Sequence, residues 1–357
     1  MDINRAQVEQ LFSETIDEET LRATAGDIAL PQRLSWLYVM ANVREDPLED
    51  RYLDALDAYD TASRDRVAPC IDPLYAESAR RLAYFGIRVD RQGLAADIIS
   101  LTRHIAMGLE WHDLNFDPAQ PHFMRHEFLQ PCLTGATSLA KVCDVLAVAC
   151  IRCSKNQAIV SIDGMQVEVQ VGDDSFADLQ WEGDTRSAAL SLRANDLRHL
   201  TANEALELSH ELGHCRHHLV AEHPAGDYGL PFWDTELPAF REEWTLCSRL
   251  TPNLSTRAWA LEAIKQSVFA LFPLLVPVMG SKAALHQAVK QNPVYCHTRK
   301  EADWLLCKSP LFVWSGVPYV QYFLSLVRFL LETGPYDDVL AQGLMRCETR
   351  FSLHAGW

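Results

Sequence analysis

Long apolar runs are missing from the sequence. The two longest, 268–279 and 320–331, are interrupted by prolines in the first and by Gln321 and Arg328 in the second. Neither reaches the roughly 20 apolar residues that a membrane-spanning helix needs. The N-terminal stretch MDINRAQVEQL also lacks the apolar segment of a secretory signal. We therefore predict a cytoplasmic protein without a membrane partner. A bacterial protein exported by a signal-less route would have the same features.

Positive charge is scarce as well. The chain has 32 Lys and Arg residues against 48 Asp and Glu residues, which gives a formal net charge of -16. Nucleic acids and anionic membranes attract proteins mainly through clustered basic side chains. The charge balance argues against both as main partners, and we predict that the chain does not bind nucleic acid.

The sequence also lacks the regular cysteine spacing of a disulfide framework. The 10 cysteines follow no regular spacing, and a chain of 357 residues can bury a large core without covalent cross-links. We interpret most of these cysteines as buried thiols. Cys150 and Cys153 form a lone C-x-x-C pair, for which a core or loop position is the ordinary interpretation and a metal or redox role is the alternative.

The composition that is present, 48% hydrophobic and 22% charged, is that of an ordinary globular protein. Residues 1–153 repeat apolar side chains at three- and four-residue steps, as in 93–110, and this periodicity predicts a helical N-terminal region. Residues 255–357 show the same periodicity and are strongly apolar, with a buried helix predicted inside 311–331. These two helical regions flank a middle region, 154–254.

The middle region opens with strand patterns. Two stretches rich in apolar and β-branched residues flank Asp163-Gly164, a dipeptide typical of a tight hairpin. The strands predicted on this basis are 158–162 and 165–171, followed by a third at 188–192. The predicted fold class is therefore mainly α with a small antiparallel β-sheet, an α+β fold in three regions.

The chemistry of the chain is concentrated in 206–219, which reads LELSHELGHCRHHL. Thr201 and Glu204 predict a capping-box start for a helix here. On that helix His210 and His214 lie one turn apart on one face, where two imidazoles can hold one metal ion. The apolar residues cluster on the opposite side, facing a predicted core: Ala205, Leu208, Leu212, Cys215 and Leu219.

A catalytic metal normally takes a third protein ligand. His217 and His218 lie on the same rigid helix as the first two ligands, so their side chains cannot turn back toward the metal. We expect them to support the site indirectly or to lie at the hydrated end of the helix. A second helix is predicted over 234–250, with Glu236 and Glu243 at the margin of its buried stripe and Glu242 facing solvent. The nearby candidates for the third ligand are His223, Asp227, Asp234, Glu236 and Glu243.

The segment His210-Glu211-Leu212-Gly213-His214 resembles the zincin metallopeptidases. The metzincin branch is not favoured, because His217 and Val220 stand where that branch has Gly and His. The gluzincin branch takes a Glu from the next helix in an E-x-x-A context, which Glu236 to Ala239 matches. The resemblance spans about residues 201–250 and implies a zincin-like core in which His210, His214 and Glu236 bind zinc.

Glu243 and Asp227 remain the alternative third ligands. The resemblance implies a zinc metallopeptidase that acts on a peptide or protein substrate, with Glu211 as the general base for a metal-activated water. Tyr228 and His223 are the nearest candidates to stabilise an oxyanion. An edge of the small sheet would bind the extended substrate.

Two other functions are compatible with the same histidine and carboxylate residues. Two His and one carboxylate also form the iron(II) site of non-haem oxygenases, including proteins that modify peptides, and Fe²⁺ would then replace Zn²⁺. In that case an arginine such as Arg241, Arg249 or Arg257 would be needed to hold a co-substrate carboxylate. The remaining possibility is a non-enzymatic interaction protein whose histidine cluster is incidental.

Overall fold

The computed structural model describes residues 87–109, 137–182, 185–220, 236–250, 256–291, 318–334 and 338–353. Their helices are α1 (Arg91–Gly108), α2 (Leu139–Val145), α3 (Ala202–Val220), α4 (Leu237–Leu250), α5 (Arg257–Met279), α6 (Ser281–Gln291), α7 (Pro318–Thr333) and α8 (Asp338–Thr349). Their strands are β1 (Ile87–Val89), β2 (Ala149–Cys153), β3 (Gln157–Ile162), β4 (Met165–Val171), β5 (Phe176–Glu182), β6 (Thr185–Leu192) and β7 (Phe351–Leu353).

Helices dominate the described chain, and the larger sheet has five strands, so the predicted α+β class is confirmed. The predicted helices over 93–110 and within 311–331 correspond to α1 and α7. The helices predicted before residue 87 lie outside the described residues.

The prediction of a purely antiparallel sheet is wrong. The strand order is β2-β3-β4-β6-β5, and β4 pairs with β6 in parallel. The chain passes from β4 to β5 at the edge of the sheet and then returns as β6, which lies between them. β6 is antiparallel to β5. β6 therefore runs in the same direction as β4, and β5 is left at the edge.

The predicted β3–β4 hairpin is confirmed. Its turn residues Asp163 and Gly164 have φ values of 50° and 90°, and Ile162 pairs with Met165. Positive φ at both turn positions suits the right-handed twist of the strands, and Asp-Gly adopts such turns readily. The alternating inward residues of the hairpin are buried: Ala158, Val160, Ile162, Val167 and Val169.

Strands β2 and β5, the two edges of the sheet, were not predicted from the sequence. β2 is short and interrupted by a bulge between Cys150 and Arg152. β5 exposes most of its side chains, including Phe176 and Asp178, and so lacks a clear apolar alternation. An edge strand is stabilised by one neighbour only, and its sequence is correspondingly less constrained.

The chain divides into two compact units. In the first, the described residues are those between 137 and 258, and α3 and α2 pack against the sheet to form one buried apolar cluster. The predicted boundary between 153 and 154 falls between the paired strands β2 and β3. The division into 1–153, 154–254 and 255–357 otherwise stays a prediction.

The second unit contains the described residues 87–109 and those from 259 onward. β1 and β7 pair antiparallel, and α1 packs against α8. The carboxylate of Asp97 on α1 accepts hydrogen bonds from the Nε atoms of Arg346 and Arg350, both at 3.0 Å. These contacts join the start of the described chain to its end.

Helix α5 is long and apolar enough to cross a membrane by length and composition, and it is the one described helix of this kind. Within its most apolar stretch, 83% of the residues are buried inside the protein. Such burial is ordinary for the core helix of a globular protein.

The packing of α3 on the sheet gives a stability prediction. Leu208 is 0% exposed within the apolar cluster, so Leu208→Ala should leave a cavity and lower the free energy of unfolding by about 2–5 kcal/mol. Met345→Ala, at a 57% exposed position of α8, is the control and should change stability by less than about 0.5 kcal/mol. Equal denaturant midpoints and slopes for Leu208→Ala and wild type would contradict this orientation of α3.

Candidate metal centre

Helix α3 carries the candidate site on its polar face. Its predicted capping box is present, because Glu204 Oε2 accepts from the Thr201 backbone N–H at 2.6 Å and Thr201 Oγ1 accepts from the Glu204 N–H at 3.3 Å. The predicted apolar side is buried in the core. The helix thus begins where predicted and carries His210, Glu211 and His214 outside its buried apolar side.

A second helix, α4, crosses α3 at very short range. A Cβ added at Gly213 would lie 2.6 Å from Ala239 Cα and 2.9 Å from the Pro238 carbonyl oxygen. Both are backbone atoms, so any side chain larger than hydrogen at Gly213 would push the helices apart. Gly213 therefore allows the first turn of α4 to reach the side of α3 that carries His210 and His214.

This crossing brings Glu236 to the histidines. α4 begins at Leu237, later than the predicted start at Asp234, which lies outside the described residues. The Glu236 carbonyl accepts the hydrogen bond of the Phe240 N–H at 3.1 Å, as the residue before a helix does. Pro238 is tolerated because first-turn N–H groups have no helical acceptor.

Three side-chain atoms converge in front of the crossing. The two Nε2 atoms of His210 and His214 are 3.2 Å apart, and Glu236 Oε2 lies 3.3 Å from the first and 3.7 Å from the second. Among the described residues, this is the one group of three His, Cys, Asp or Glu side chains close enough to hold a metal ion. The structure thus brings together the three ligands that the sequence resemblance implied.

Glu243 contacts the other side of His210. Its carboxylate is 0% exposed, and Oε1 lies 2.8 Å from His210 Nδ1. The Glu243 carboxylate can accept the Nδ1–H of His210, which leaves Nε2 as the atom that faces His214 and Glu236. The expected position of Glu243 at the margin of the buried stripe is wrong: it is fully buried together with the apolar residues of that stripe.

Glu242 also differs from its predicted position. It was expected to face solvent, but its side chain is only 13% exposed and pairs with Arg216 of α3 at 2.9 Å. Arg216 in addition donates to the carbonyl oxygen of Leu146 at 2.8 Å. Burial raises the pKa of Glu242, and the charges of Arg216 and Arg249 oppose that shift. The pair joins α4 to α3 on the side away from the candidate ligands.

The two histidines differ in proton affinity. Burial lowers the pKa of His214 to about 4, which keeps its imidazole neutral and its lone pair available. Burial also acts to lower the pKa of His210, but the carboxylates of Glu236 and Glu243 outweigh it and raise that pKa to about 10. A cation that binds His210 Nε2 must displace this proton.

The charges of the site suit a cation. Glu211, Glu236 and Glu243 place carboxylates around two largely buried imidazoles. Buried carboxylates are unfavourable unless cations compensate them. A divalent ion held by His210, His214 and Glu236 would supply that charge, so the residues present fit a metal.

Glu211 lies beside this group. Burial raises the pKa of its carboxyl, the positive charge of His210 lowers it, and the negative charge of Glu236 raises it again. The backbone N–H of Ala177, in edge strand β5, also acts on the Glu211 carboxylate as a hydrogen-bond donor. The position of β5 beside Glu211 was not predictable from the sequence, because β5 itself was not predicted.

His218 is placed by the same strand. It was expected either as a supporting group or at the hydrated end of the helix. It is buried, and its Nε2 lies 3.1 Å from the Gln180 carbonyl oxygen of β5. The polar face of α3 thus follows β5 from Ala177 to Gln180. The predicted candidates His223, Asp227 and Tyr228 lie outside the described residues.

No protein-family model matches the chain, and no curated protein is significantly similar to it. The assignment of the site therefore depends on the geometry and chemistry of its own residues.

The first site prediction concerns the ligands. His210→Ala, His214→Ala and Glu236→Ala should each lose most of the bound metal, because each removes one of the converging atoms. Glu243→Gln should keep a stoichiometric metal with affinity reduced by about 10–100-fold, as for a group that only orients a ligand. Metal content after dialysis and chelator competition measure both. Unchanged metal binding in Glu236→Ala would transfer the third-ligand role to Glu243 or Asp227.

The second site prediction concerns the helix crossing. Gly213→Ala should lower stability by about 1–3 kcal/mol through overpacking, although alanine favours a helix over glycine. It should also weaken metal binding, because Glu236 moves with α4. Gly343→Ala in α8 is the matched control, since its Cβ would meet side-chain atoms of Leu101 and Arg346 and no backbone atom among its nearest neighbours. Denaturant unfolding and metal titration should show lower stability and weaker metal binding for Gly213→Ala than for Gly343→Ala. Equal stability and equal metal affinity of the two variants would contradict the close crossing.

Proposed function

We propose that this protein is a metal-dependent hydrolase of the zinc metallopeptidase type. The observation that carries the proposal is the convergence of His210, His214 and Glu236 with a fourth group, Glu211, on the same face of α3. Three ligands from two helices with an adjacent carboxylate are what a catalytic metal site with an open position needs.

The ligand atoms suit zinc in spacing and in type. Bonds of about 2.0–2.1 Å at tetrahedral angles separate neighbouring ligand atoms by about 3.3–3.4 Å, whereas right angles between the same bonds need about 2.8–3.0 Å. The observed separations are 3.2, 3.3 and 3.7 Å. These separations allow all three atoms to bind one ion after small side-chain movements, and two imidazoles with one carboxylate are a ligand set of catalytic zinc sites.

When bound, a zinc ion would supply a Lewis acid that lowers the pKa of a water and polarises a carbonyl group. Glu211 supplies the proton acceptor for the attacking water. The raised pKa of Glu211 favours proton uptake. The same carboxyl then returns the proton to the leaving amine, so that proton transfer balances over the cycle.

Strand β5 suits the substrate of such an enzyme. It is the edge of the described sheet next to α3, and its Ala177 backbone contacts Glu211. An extended peptide can add to a sheet edge through main-chain hydrogen bonds. The exposed side chains of Phe176 and Leu179 would then flank the bound peptide.

One of the three arginines named for the oxygenase alternative has another partner. An arginine near the metal would be needed for a co-substrate carboxylate, but Arg249 of α4 donates to the Val145 carbonyl oxygen at the end of α2. Iron in protein purified without added metal would nevertheless favour that alternative, and about one zinc per chain would favour the hydrolase.

The decisive variant is Glu211→Gln. It keeps the shape of the side chain but cannot accept a proton, so hydrolysis of an unstructured peptide mixture, followed by mass spectrometry, should slow by at least about 10²-fold. Bound metal should remain near stoichiometric. Glu168→Gln, on the exposed face of β4, is the control and should be fully active.

The assay is run with and without oxygen. Near-wild-type hydrolysis by Glu211→Gln would overturn the role of Glu211 as base. Turnover of the wild type that depends strictly on oxygen and a reductant would overturn the peptidase proposal.

A further inference from the structure

The first unit contains a second cluster of chemically reactive side chains, away from the metal ligands. Cys150 and Cys153 lie on β2, an edge strand of the described sheet, and both thiols are partly exposed. In a regular strand, residues three apart point to opposite faces of the sheet. A C-x-x-C sequence in such a strand would keep its two thiols apart.

The bulge in β2 changes this arrangement. Cys150 pairs with Val160 and Cys153 pairs with Ala158, so three steps along β2 match two steps along β3. Val160 and Ala158 both point into the buried cluster. Residues directly opposite each other point to the same face, so both cysteine side chains lie on the inner face of the sheet.

The bulge also shortens the span between the two cysteines. Two residues of a strand cover about 6.6–6.8 Å, whereas three would cover about 10 Å. Disulfides join Cα atoms that are usually about 4.4–6.8 Å apart. The register therefore brings the pair to the upper end of the permitted range. Burial raises the pKa of both thiols, and each thiol is close enough to affect the pKa of the other.

We propose that Cys150 and Cys153 form a vicinal dithiol that closes to a reversible disulfide across the bulge of β2. Cys143 of α2 lies behind them in the core and is fully buried, so it does not compete for external oxidants. This modification site is independent of the proposed hydrolase activity.

The oxidant is a low-molecular-weight disulfide. One cysteine thiolate attacks it, forms a mixed disulfide and releases one thiol. The second cysteine thiolate attacks the protein sulfur of that mixed disulfide, which closes the Cys150–Cys153 bond and releases the second thiol. Two protein thiols are oxidised, one disulfide is reduced to two thiols, and the two protons pass to the departing thiolates.

The bond would act as a switch rather than as a structural cross-link. It closes a very short loop, which limits the entropy that it removes from the unfolded chain. Its span lies at the limit of normal geometry, and strained disulfides are the more easily reduced ones. We therefore expect the pair to respond to the ratio of oxidised to reduced glutathione.

The experiment equilibrates the full chain in glutathione buffers of increasing oxidised fraction, alkylates free thiols and maps peptides by mass spectrometry. The expected result is joint protection of Cys150 and Cys153 and full recovery with excess dithiothreitol. In Cys150→Ser and Cys153→Ser the bridge should be lost and the remaining cysteine should carry one glutathione. Cys143→Ala is the matched control and should retain the bridge.

A second measurement on the wild type does not depend on any variant. Phenylarsine oxide, which binds paired thiols, should protect Cys150 and Cys153 together from alkylation. A bridge that contains Cys143, or a pair that stays alkylatable in oxidised glutathione and with phenylarsine oxide, would overturn the proposal.

Discussion

The candidate metal centre depends on one close contact, the backbone of α4 against Gly213 of α3. A methyl group at this position would lie 2.6 Å from Ala239 Cα, so the approach exists only because glycine has no side chain. The same approach places Glu236 within 3.7 Å of both histidine Nε2 atoms and lets Glu243 reach His210 Nδ1. The positions of the proposed third ligand, Glu236, and of Glu243 beside His210 thus both depend on the absence of a Cβ at residue 213.

The division of α3 into two faces is the second constraint. Its apolar side is buried in the core with the sheet and α2, which fixes the rotation of the helix about its axis. The polar side must then face β5 and α4. Carboxylates and imidazoles gather there in a poorly hydrated space, where burial lowers the pKa of His214 and the carboxylates raise the pKa of His210. A divalent cation would relieve that unfavourable concentration of negative charge.

Much of this was predictable from local patterns. The capping box of α3, its buried side, the Asp163-Gly164 hairpin and the positions of His210 and His214 all follow from residues within a few steps of one another. Such features depend on backbone preferences and on the 3.6-residue and 2-residue periods, which a sequence displays directly. The choice of Glu236 over other carboxylates needed the resemblance to a known motif, because local periodicity treats Glu236 and Glu243 alike.

What the sequence by itself determined was therefore the helix, its two faces and the pair of imidazoles on it. Only the tertiary structure decided which nitrogen of His210 meets Glu243, that Glu242 pairs with Arg216, and that β5 lies along the site. It also decided that Cys150 and Cys153 share a face, since a bulge is defined only against the partner strand. Each of these depends on contacts between segments far apart in the chain, and the spacing of residues along one segment carries no information about them.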